Sequence, residues 1–338
     1  MTVPQLVSRS TYVHALKAQL PAKSFERATS RLLFLPAHLA VITLATIAIA
    51  LGWIAWPLVP LVSLAIGASF AGMTFVAHEA LHGGLVRSKR LQYAVGWLGF
   101  LPFMVSPRLW IAWHNVDHHA HANLPDDPDA YPTLDQYRER RAARFAVDTF
   151  SLGGKRWRGV LSLVLGFTVQ SAGILINARR LGIADARGHR LALAESGLAL
   201  GVWAGIAAVV GFVPFLFVFA LPLLVANVCV MAFILTNHSL SPRVSINDPL
   251  ASGLTVTTSR LVEWLTLGFG YHVEHHLFPA MSTRHAPAVR ALVQQRWPDR
   301  YHSMSLREAL GRLHRSARVY KTATTLFDPK TGHEHGTL

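Results

Sequence analysis

Residues 32–78 read LLFLPAHLAVITLATIAIALGWIAWPLVPLVSLAIGASFAGMTFVAH, a stretch of 47 residues without Asp, Glu, Lys or Arg. A transmembrane helix needs about 20 apolar residues to cross the hydrocarbon core of a bilayer. The stretch is long enough for two crossings, and Trp56, Pro57 and Pro60 near its middle indicate a turn. We predict a helical hairpin with spans over residues 33–55 and 60–78.

A second uncharged stretch, residues 196–242, has the same length of 47 residues. Gly211, Pro214 and Pro222 indicate a turn near its middle, which predicts spans over 198–215 and 221–239. Only 15% of the chain is charged, against about 25% in typical soluble domains. The composition therefore excludes a soluble globular protein and predicts an all-α integral membrane protein with four transmembrane helices in two hairpins.

The distribution of positive charge predicts the topology. All 32 Lys and Arg lie in residues 1–31, 79–195 and 243–338, and neither predicted hairpin turn contains one. Because cytoplasmic loops of membrane proteins are enriched in Lys and Arg, both termini are expected in the cytoplasm, with the protein in the cell inner membrane. The net charge of +14 is thus a topology signal, and no nucleic-acid partner is predicted.

The remaining segments divide around these spans. Apolar segments 91–106 and 159–176 are predicted to lie at the interface or beneath the functional site, because a single extra crossing would separate the histidine motifs described below. We predict a basic cytosolic segment over 1–32, a membrane domain over 33–320 and a flexible tail over 321–338. Residues 287–297 and 305–320 are expected to form basic amphipathic helices that contact anionic headgroups, a carrier phosphate or an acidic electron donor, or are simply solvated.

Histidine is the unusual residue of this sequence, with 18 copies beside a single Cys, which excludes disulfide and cysteine-ligated metal sites. Three motifs, HEALH at 78–82, HNVDHH at 114–119 and HVEHH at 272–276, contain eight of them, and each lies near an end of an apolar segment. Residues three or four apart on a helix project from the same face, so each motif can direct two imidazoles at one metal ion. With His238 at the end of the fourth span, the candidate metal ligands are His78, His82, His114, His118, His119, His238, His272, His275 and His276.

The number of imidazoles indicates the metal. A zinc site closes at four ligands or at three plus water, so nine candidates exceed one zinc ion but fit two metal ions. Imidazole suits iron, and two iron ions that reduce O2 can oxidise an unactivated C–H bond of a lipid at the membrane boundary. The alternative is an intramembrane zinc protease, since HEALH also fits H-E-x-x-H with Glu79 as the base; this alternative leaves the other two motifs unexplained.

The three motifs resemble the histidine boxes of the membrane fatty acid desaturase family, HxxxH, HxxxHH and HxxHH. The sequence GYHVEHHLFP at 270–279 and the element Asp127-Pro128-Asp129 after the second box are also similar to that family. The resemblance implies four transmembrane helices under a cytosolic helical cap, two iron ions bound by the box histidines, O2 as co-substrate and a lipid or acyl-thioester substrate. Lipid hydroxylases and carotenoid ketolases or hydroxylases share these boxes and remain alternatives.

Some positions depart from the family pattern. The third box begins with His272 where front-end desaturases have Gln, and Ile234 stands where animal acyl-CoA desaturases have Asn one turn before the extra histidine. The sequence has no His-Pro-Gly-Gly haem motif, so electrons are expected from a separate ferredoxin or cytochrome b5-type protein. Carboxylates close to the boxes are candidates to orient the metal-bound imidazoles: Glu79, Asp117, Asp127, Asp129 and Glu274. Trp110 and Trp113 are expected to line a substrate tunnel or to belong to an interfacial aromatic belt.

Overall fold

The structure is a computed structural model that describes residues 5–338 except 126 and 128. It is predominantly helical. The α-helices of the described chain are α1 (Arg9–Lys17), α2 (Phe34–Ala50), α3 (Val59–Leu81), α4 (Lys89–Phe100), α5 (Pro107–Trp110), α6 (His119–His121), α7 (Leu134–Glu139), α8 (Arg141–Phe150), α9 (Val160–Asn177), α10 (Ala186–Val210), α11 (Phe212–Phe215), α12 (Leu221–His238), α13 (Pro249–Ser252), α14 (Arg260–Leu265), α15 (His272–Leu277), α16 (Ala286–Arg296) and α17 (Leu306–Arg315).

Shorter elements connect these helices. Two segments, Ile111–His118 and Leu216–Ala220, are π-helical. The 3₁₀ turns are Ala22–Phe25, Thr29–Leu33, Trp56–Leu58, Leu101–Phe103, Trp157–Gly159 and Thr283–His285. Strands β1 (Thr255–Thr257) and β2 (Ser303–Ser305) form a parallel pair. Strands β3 (Val319–Thr322), β4 (Thr325–Phe327) and β5 (Glu334–Gly336) form an antiparallel sheet.

Among the described residues, five helical segments are long and apolar enough to cross a membrane, where the sequence predicts four. They are Ala22–Ala50, Trp56–Leu81, Trp157–Asn177, Ala186–Val210 and Phe212–His238. The additional segment, Trp157–Asn177, corresponds to the predicted interfacial segment 159–176. A sixth crossing is possible if Lys89–Phe103 and Pro107–His121, which meet at an angle of 102°, act as one bent span. The predicted count of four is therefore not established by length and hydropathy.

The turn of the second predicted hairpin lies at Gly211, one of the three residues that indicated it, and not at residues 216–220 between the predicted spans. The helix that begins at Ala186 ends at Gly211, whose φ of 83° lies in the left-handed region that glycine tolerates. Residues 216–220, the predicted turn, are instead π-helical and lead directly into α12. Pro222 lacks an N–H and cannot donate to the preceding turn. The Phe217 carbonyl in that turn accepts a hydrogen bond of 2.7 Å from the Ser63 hydroxyl.

The chain divides into two compact units. The helical unit comprises residues 27–115 and 164–230, and the mixed unit comprises the described residues of 5–26, 116–163 and 231–338. In the helical unit, α4 packs closely on α3, because a Cβ at Gly99 would lie only 2.5 Å from the Met73 carbonyl oxygen. Small residues at helix contacts permit such close approach of backbones in membrane proteins. This packing fixes the end of α3, where the first histidine motif lies.

The core of the mixed unit surrounds the third histidine motif. Tyr12 and Leu16 of α1 are fully buried against Val273 and Leu277 of α15 and Val289 of α16. The short β1–β2 pair adds a further contact with α15. Helix α15, which has only six residues, is too short to be stable alone. Its conformation therefore depends on this surrounding core.

The C-terminal residues form regular secondary structure. Residues 319–336 form the three-stranded sheet, where a flexible tail over 321–338 was expected. The amphipathic helix expected over 305–320 ends at Arg315, and Ser305 is its N-cap, since the Ser305 hydroxyl accepts from the Glu308 amide at 3.2 Å. The sheet was not predicted because its strands have only three or four residues, too few to give a clear alternation of apolar and polar positions.

Candidate metal centre

In the helical unit, two elements bring three histidines together. His78 and His82 lie one turn apart at the end of α3, and His114 lies on the π-helical segment Ile111–His118. The ring centroids are 4.7 Å apart for His78 and His82, 5.0 Å for His78 and His114, and 5.3 Å for His82 and His114. Their ligating nitrogens all lie within 4.8 Å of one another, a spacing at which one metal ion can contact all three.

The indole of Trp110 packs against this group. It stacks on His114 with centroids 4.5 Å apart and makes edge contacts with His78 and His82 at 5.3 Å each. Its side chain is only 3% exposed. Trp110 therefore fixes the orientation of these rings in a dry environment and does not belong to an interfacial aromatic belt, one of its two predicted roles. Trp113, also 3% exposed, is likewise not an interfacial residue.

In the mixed unit, four histidines from three elements converge. His118 ends the π-helical segment, His238 ends α12, and His272 and His276 lie one turn apart on α15. The Nε2 atom of His238 is 2.5 Å from Nε2 of His272 and 3.3 Å from Nε2 of His276. The ligating nitrogens of the four residues lie within 4.8 Å of one another.

Hydrogen bonds at the opposite ring nitrogens orient two of these imidazoles. Nδ1 of His238 is 2.7 Å from the Ser252 carbonyl oxygen, which can only accept, so Nδ1 carries the proton and Nε2 presents a lone pair to the group. Nδ1 of His118 lies 3.3 Å from Oδ1 of Asp127 and 3.4 Å from Oδ2 of Asp129. Carbonyl and carboxylate partners of this kind commonly orient metal-bound histidines. Converging Nε2 lone pairs repel one another unless a cation lies between them, so the donor set fits a metal ion.

A further pair of histidines in the mixed unit, His119 and His275, connects the second motif to the third. Nε2 of His119 is 3.1 Å from Nε2 of His275, and both side chains are buried. Burial, together with the nearby His118, Arg9 and His238, lowers the pKa of His275 to about 3. Burial also lowers the pKa of His276 well below its usual value. Both imidazoles are therefore neutral at physiological pH, the form that binds metal.

The sequence profile of the family described as "Fatty acid desaturase" matches residues 51–308, which include all nine candidate histidines. The chain belongs to the fatty acid desaturase family. A similar protein is the sn-1 oleoyl-lipid 12-desaturase of Arthrospira platensis, which is 23% identical over 253 residues that cover 69% of each chain. Family membership makes this desaturase-family protein an oxidoreductase with a lipid substrate. Its long apolar helices indicate a membrane protein.

Two of the predicted supporting carboxylates of the desaturase have other partners. Nη1 of Arg31 lies 2.9 and 3.0 Å from the two carboxylate oxygens of Glu79. Asp117 pairs with His121 at 2.9 Å on a partly exposed surface. The prediction that these residues orient metal-binding imidazoles has no support in these contacts.

Asp127 and Asp129 do contact His118, as predicted, while Pro128 between them lies outside the described residues. Burial alone would raise the pKa of Asp127, but His118 and the backbone N–H groups of Asp129 and Asn123 lower it below its usual value. The Asn123 amide lies 2.8 Å from Oδ2, and the Asp129 amide lies 2.9 Å from Oδ1. An ionised Asp127 therefore accepts a hydrogen bond from His118 and keeps its imidazole directed at the group.

Glu274, between the ligand candidates of the third motif, has two hydroxyl partners. Its Oε1 accepts from Tyr301 at 2.5 Å, and its Oε2 accepts from Thr255 at 2.7 Å. The side chain is fully buried, and burial raises its pKa. The Thr255 hydroxyl oxygen also accepts from the Val273 amide at 3.3 Å. These bonds join α15 to β1 and to the residue two positions before β2.

Several residues that support the site were not predicted. The Asn123 side chain donates to the backbone carbonyls of His238 and Pro242 at 3.2 and 3.1 Å. The Asn247 side chain donates to the His119 carbonyl at 2.8 Å. Tyr301 and Thr255 were also missed. The sequence offers one weak signal, since these polar residues flank apolar segments, but their partners are from 19 to 128 positions away.

Proposed function

We propose that this protein is an O2-dependent di-iron desaturase that introduces a double bond into a lipid acyl chain. The observation that carries the proposal is the convergence of buried and half-buried imidazoles, three in the helical unit and four in the mixed unit. Membership of the fatty acid desaturase family supports the reaction class.

The proposed ligands are the nine histidines of the sequence prediction. His78, His82 and His114 would bind one iron ion, and His118, His238, His272 and His276 would bind the other. His119 and His275 would complete the coordination. Iron is preferred to zinc because the nine candidate imidazoles exceed the requirement of one zinc site.

The chain itself contributes orientation and a dry environment. The Ser252 carbonyl and Asp127 hold Nδ1–H of His238 and His118, which leaves Nε2 of each ring available to a metal ion. When bound, two iron ions would supply the redox chemistry that activates O2 as the oxidant. The overall reaction removes two hydrogens from neighbouring methylenes; O2, two electrons and two protons are consumed, and two waters form. A separate ferredoxin or cytochrome b5-type protein is proposed to supply the electrons.

We propose that the protein lies in the cell inner membrane, with its active site and both termini on the cytoplasmic side. The Lys and Arg residues that precede and follow each hairpin can share one compartment only if the chain crosses the membrane an even number of times between them. The four proposed crossings are Ala22–Ala50, Trp56–Leu81, Ala186–Val210 and Phe212–His238, and Trp157–Asn177 would remain on the cytoplasmic side. Cysteine labelling from outside the cell at positions 54 and 211, but not at position 180, is the expected result; labelling at 180 would contradict this topology.

The alternative reactions receive different support. Lipid hydroxylases and carotenoid ketolases or hydroxylases would use the same histidines, but the similar protein is named a 12-desaturase. The zinc protease requires Glu79 as a free general base. Glu79 is 5% exposed and is bound by Arg31, which argues against that role.

Expression in a desaturase-deficient host, followed by mass spectrometry of total lipids, tests the proposal. A product lighter by two hydrogens is expected, and it should be absent from His114→Ala and His276→Ala variants. A product heavier by one oxygen would indicate hydroxylation instead. Purified protein should contain about two irons per chain; one zinc without iron would overturn the proposal.

A further inference from the structure

A sharp bend precedes the second histidine motif. The apolar arms Lys89–Phe103 and Pro107–His121 meet at 102°, and the second arm carries His114. Between them, Met104 has a φ of 55°, in the left-handed region that residues other than glycine and asparagine rarely occupy. Such a conformation persists only where surrounding contacts hold it. The contacts around the bend therefore determine where His114 lies.

Glu195 of α10 contacts both arms. Its Oε1 accepts a hydrogen bond from the Tyr93 hydroxyl on the first arm and lies 3.4 Å from Nε of Arg108 on the second. Its Oε2 accepts a hydrogen bond of 2.5 Å from the Ser106 hydroxyl, next to the second arm. The Ser106 oxygen in turn accepts from the Leu109 amide at 3.2 Å and caps α5. One carboxylate thus connects the first arm to the start of the second.

The same helix also contacts the corner of the bend. Nε1 of Trp203 donates to the Leu101 carbonyl at 2.9 Å, and the indole is 4% exposed and packs on Phe70 with centroids 5.4 Å apart. Residues eight apart are separated by about 80° around an α-helix, within the width of one helix face, so Glu195 and Trp203 present one face to the bend. Helix α10 therefore holds the first arm, the corner and the second arm.

The position of this carboxylate is energetically unfavourable. Glu195 is the sole acidic residue in Ala186–Val210, a segment apolar enough to cross a membrane. Ionisable side chains in such segments are costly and normally have partners and a functional role. Packing alone does not require a carboxylate at this position. The three polar donors around the bend, Tyr93, Ser106 and Arg108, do require an acceptor.

We propose that Glu195 is a positioning residue that fixes the bend and thereby places His114 for metal binding. The inference rests on the proposed function, because it takes His114 to be a ligand. Glu195 does not touch the metal candidates; it acts through Ser106 and the capped start of the second arm.

The test uses the full-length protein in detergent with Co²⁺ alone as the probe. Bound Co²⁺ per chain, its absorption spectrum and hydrogen exchange over residues 104–115 are measured for wild type, Glu195→Ala and Glu195→Gln. Ser63→Ala is the matched control, because it removes a buried hydroxyl bond of 2.7 Å to the Phe217 carbonyl without touching the bend.

Glu195→Ala is expected to raise exchange over 104–115 about tenfold, the effect of losing hydrogen bonds to a charged group. Bound Co²⁺ should fall to about half, with loss of one spectral component, because the His78, His82 and His114 group loses a ligand. Glu195→Gln should be intermediate, since its single oxygen can serve one arm, and Ser63→Ala should match wild type. Should Glu195→Ala not fold, Ser106→Ala and Tyr93→Phe are expected to give the same local changes at smaller size.

The positioning role would be overturned if Glu195→Ala bound as much Co²⁺ as the wild type and showed the same hydrogen exchange over residues 104–115. Exchange that rises equally throughout the chain, or equally in Ser63→Ala, would also overturn it, since that result indicates general stability alone. These outcomes differ from failure of the proposed function, in which the wild-type protein itself binds fewer than two metal ions.

Discussion

Nη1 of Arg31 lies within 3.0 Å of both carboxylate oxygens of Glu79. Arg31 belongs to the 3₁₀ turn that precedes α2, and Glu79 lies between His78 and His82 in sequence near the end of α3. The ion pair therefore connects the start of one apolar helix to the end of the next. It also occupies the carboxylate that a zinc protease would require.

Arg31→Ala is expected to destabilise the protein by about 3 kcal/mol, because it removes the positive charge that pairs with a buried carboxylate. Glu79→Gln should cost less, since the amide oxygen can still accept from Arg31, and it should retain lipid desaturation. Thermal unfolding monitored by size-exclusion chromatography and lipid analysis are the measurements. A protease predicts the reverse order for activity, with Glu79→Gln inactive and Arg31→Ala active.

Asp127→Asn should weaken metal binding about 10- to 100-fold, the usual effect of removing a partner that orients a metal-bound histidine. The amide keeps the size of the side chain but loses the charge that attracts Nδ1–H of His118. Metal affinity by competition with a chelator measures the effect. Asp117→Asn, at the partly exposed pair with His121, is the control and should leave affinity unchanged.

Tyr301→Phe should destabilise the protein by about 1–3 kcal/mol, because Glu274 loses a buried donor. Metal content should fall as well, since Glu274 lies on α15 with three proposed ligands. Denaturation and metal analysis of the same preparations test both effects. Tyr137→Phe removes a longer hydroxyl bond, 3.2 Å to Asp148, and should have little effect on metal content. Equal loss of metal in both variants would contradict the role assigned to Tyr301.

The C-terminal sheet should loosen in acid. Burial would raise the pKa of Asp328, but the Lys330 amide and Arg156 lower it below its usual value. A lowered pKa in the folded state stabilises the fold above the ordinary carboxyl pKa of about 4, and this contribution is lost as the pH falls further. Hydrogen exchange over residues 325–336 should therefore accelerate below pH 4 beyond its intrinsic dependence. Asp328→Asn should remove that additional acceleration.

The features that the sequence predicted correctly are local ones. The uncharged stretches and the spacing of His78 and His82 report helices and shared helix faces, because both follow from the geometry of a few adjacent turns. The family resemblance based on the three boxes was confirmed by the profile match over residues 51–308.

The features that it did not predict depend on distant partners or on competing turn signals. Glu274 and Tyr301 are 27 positions apart, and no local pattern distinguishes their bond from many other pairs. The turn was placed at 216–220, between Pro214 and Pro222, although Gly211, which also indicated a turn, adopts the conformation that ends the helix. A proline constrains a helix without necessarily ending it, so its position alone was misleading.

The contacts of α10 also affect how such proteins can be recombined. The side chains of Glu195 and Trp203 contact four residues of the bent segment, namely Tyr93, Leu101, Ser106 and Arg108. A chimera that takes residues 89–110 from another family member but keeps its own residues 186–210 would place a foreign bend against Glu195 and Trp203. The contacts between the two segments would then not be preserved. The smallest transferable block for altering this side of the centre therefore consists of two segments, separated by 75 residues of chain.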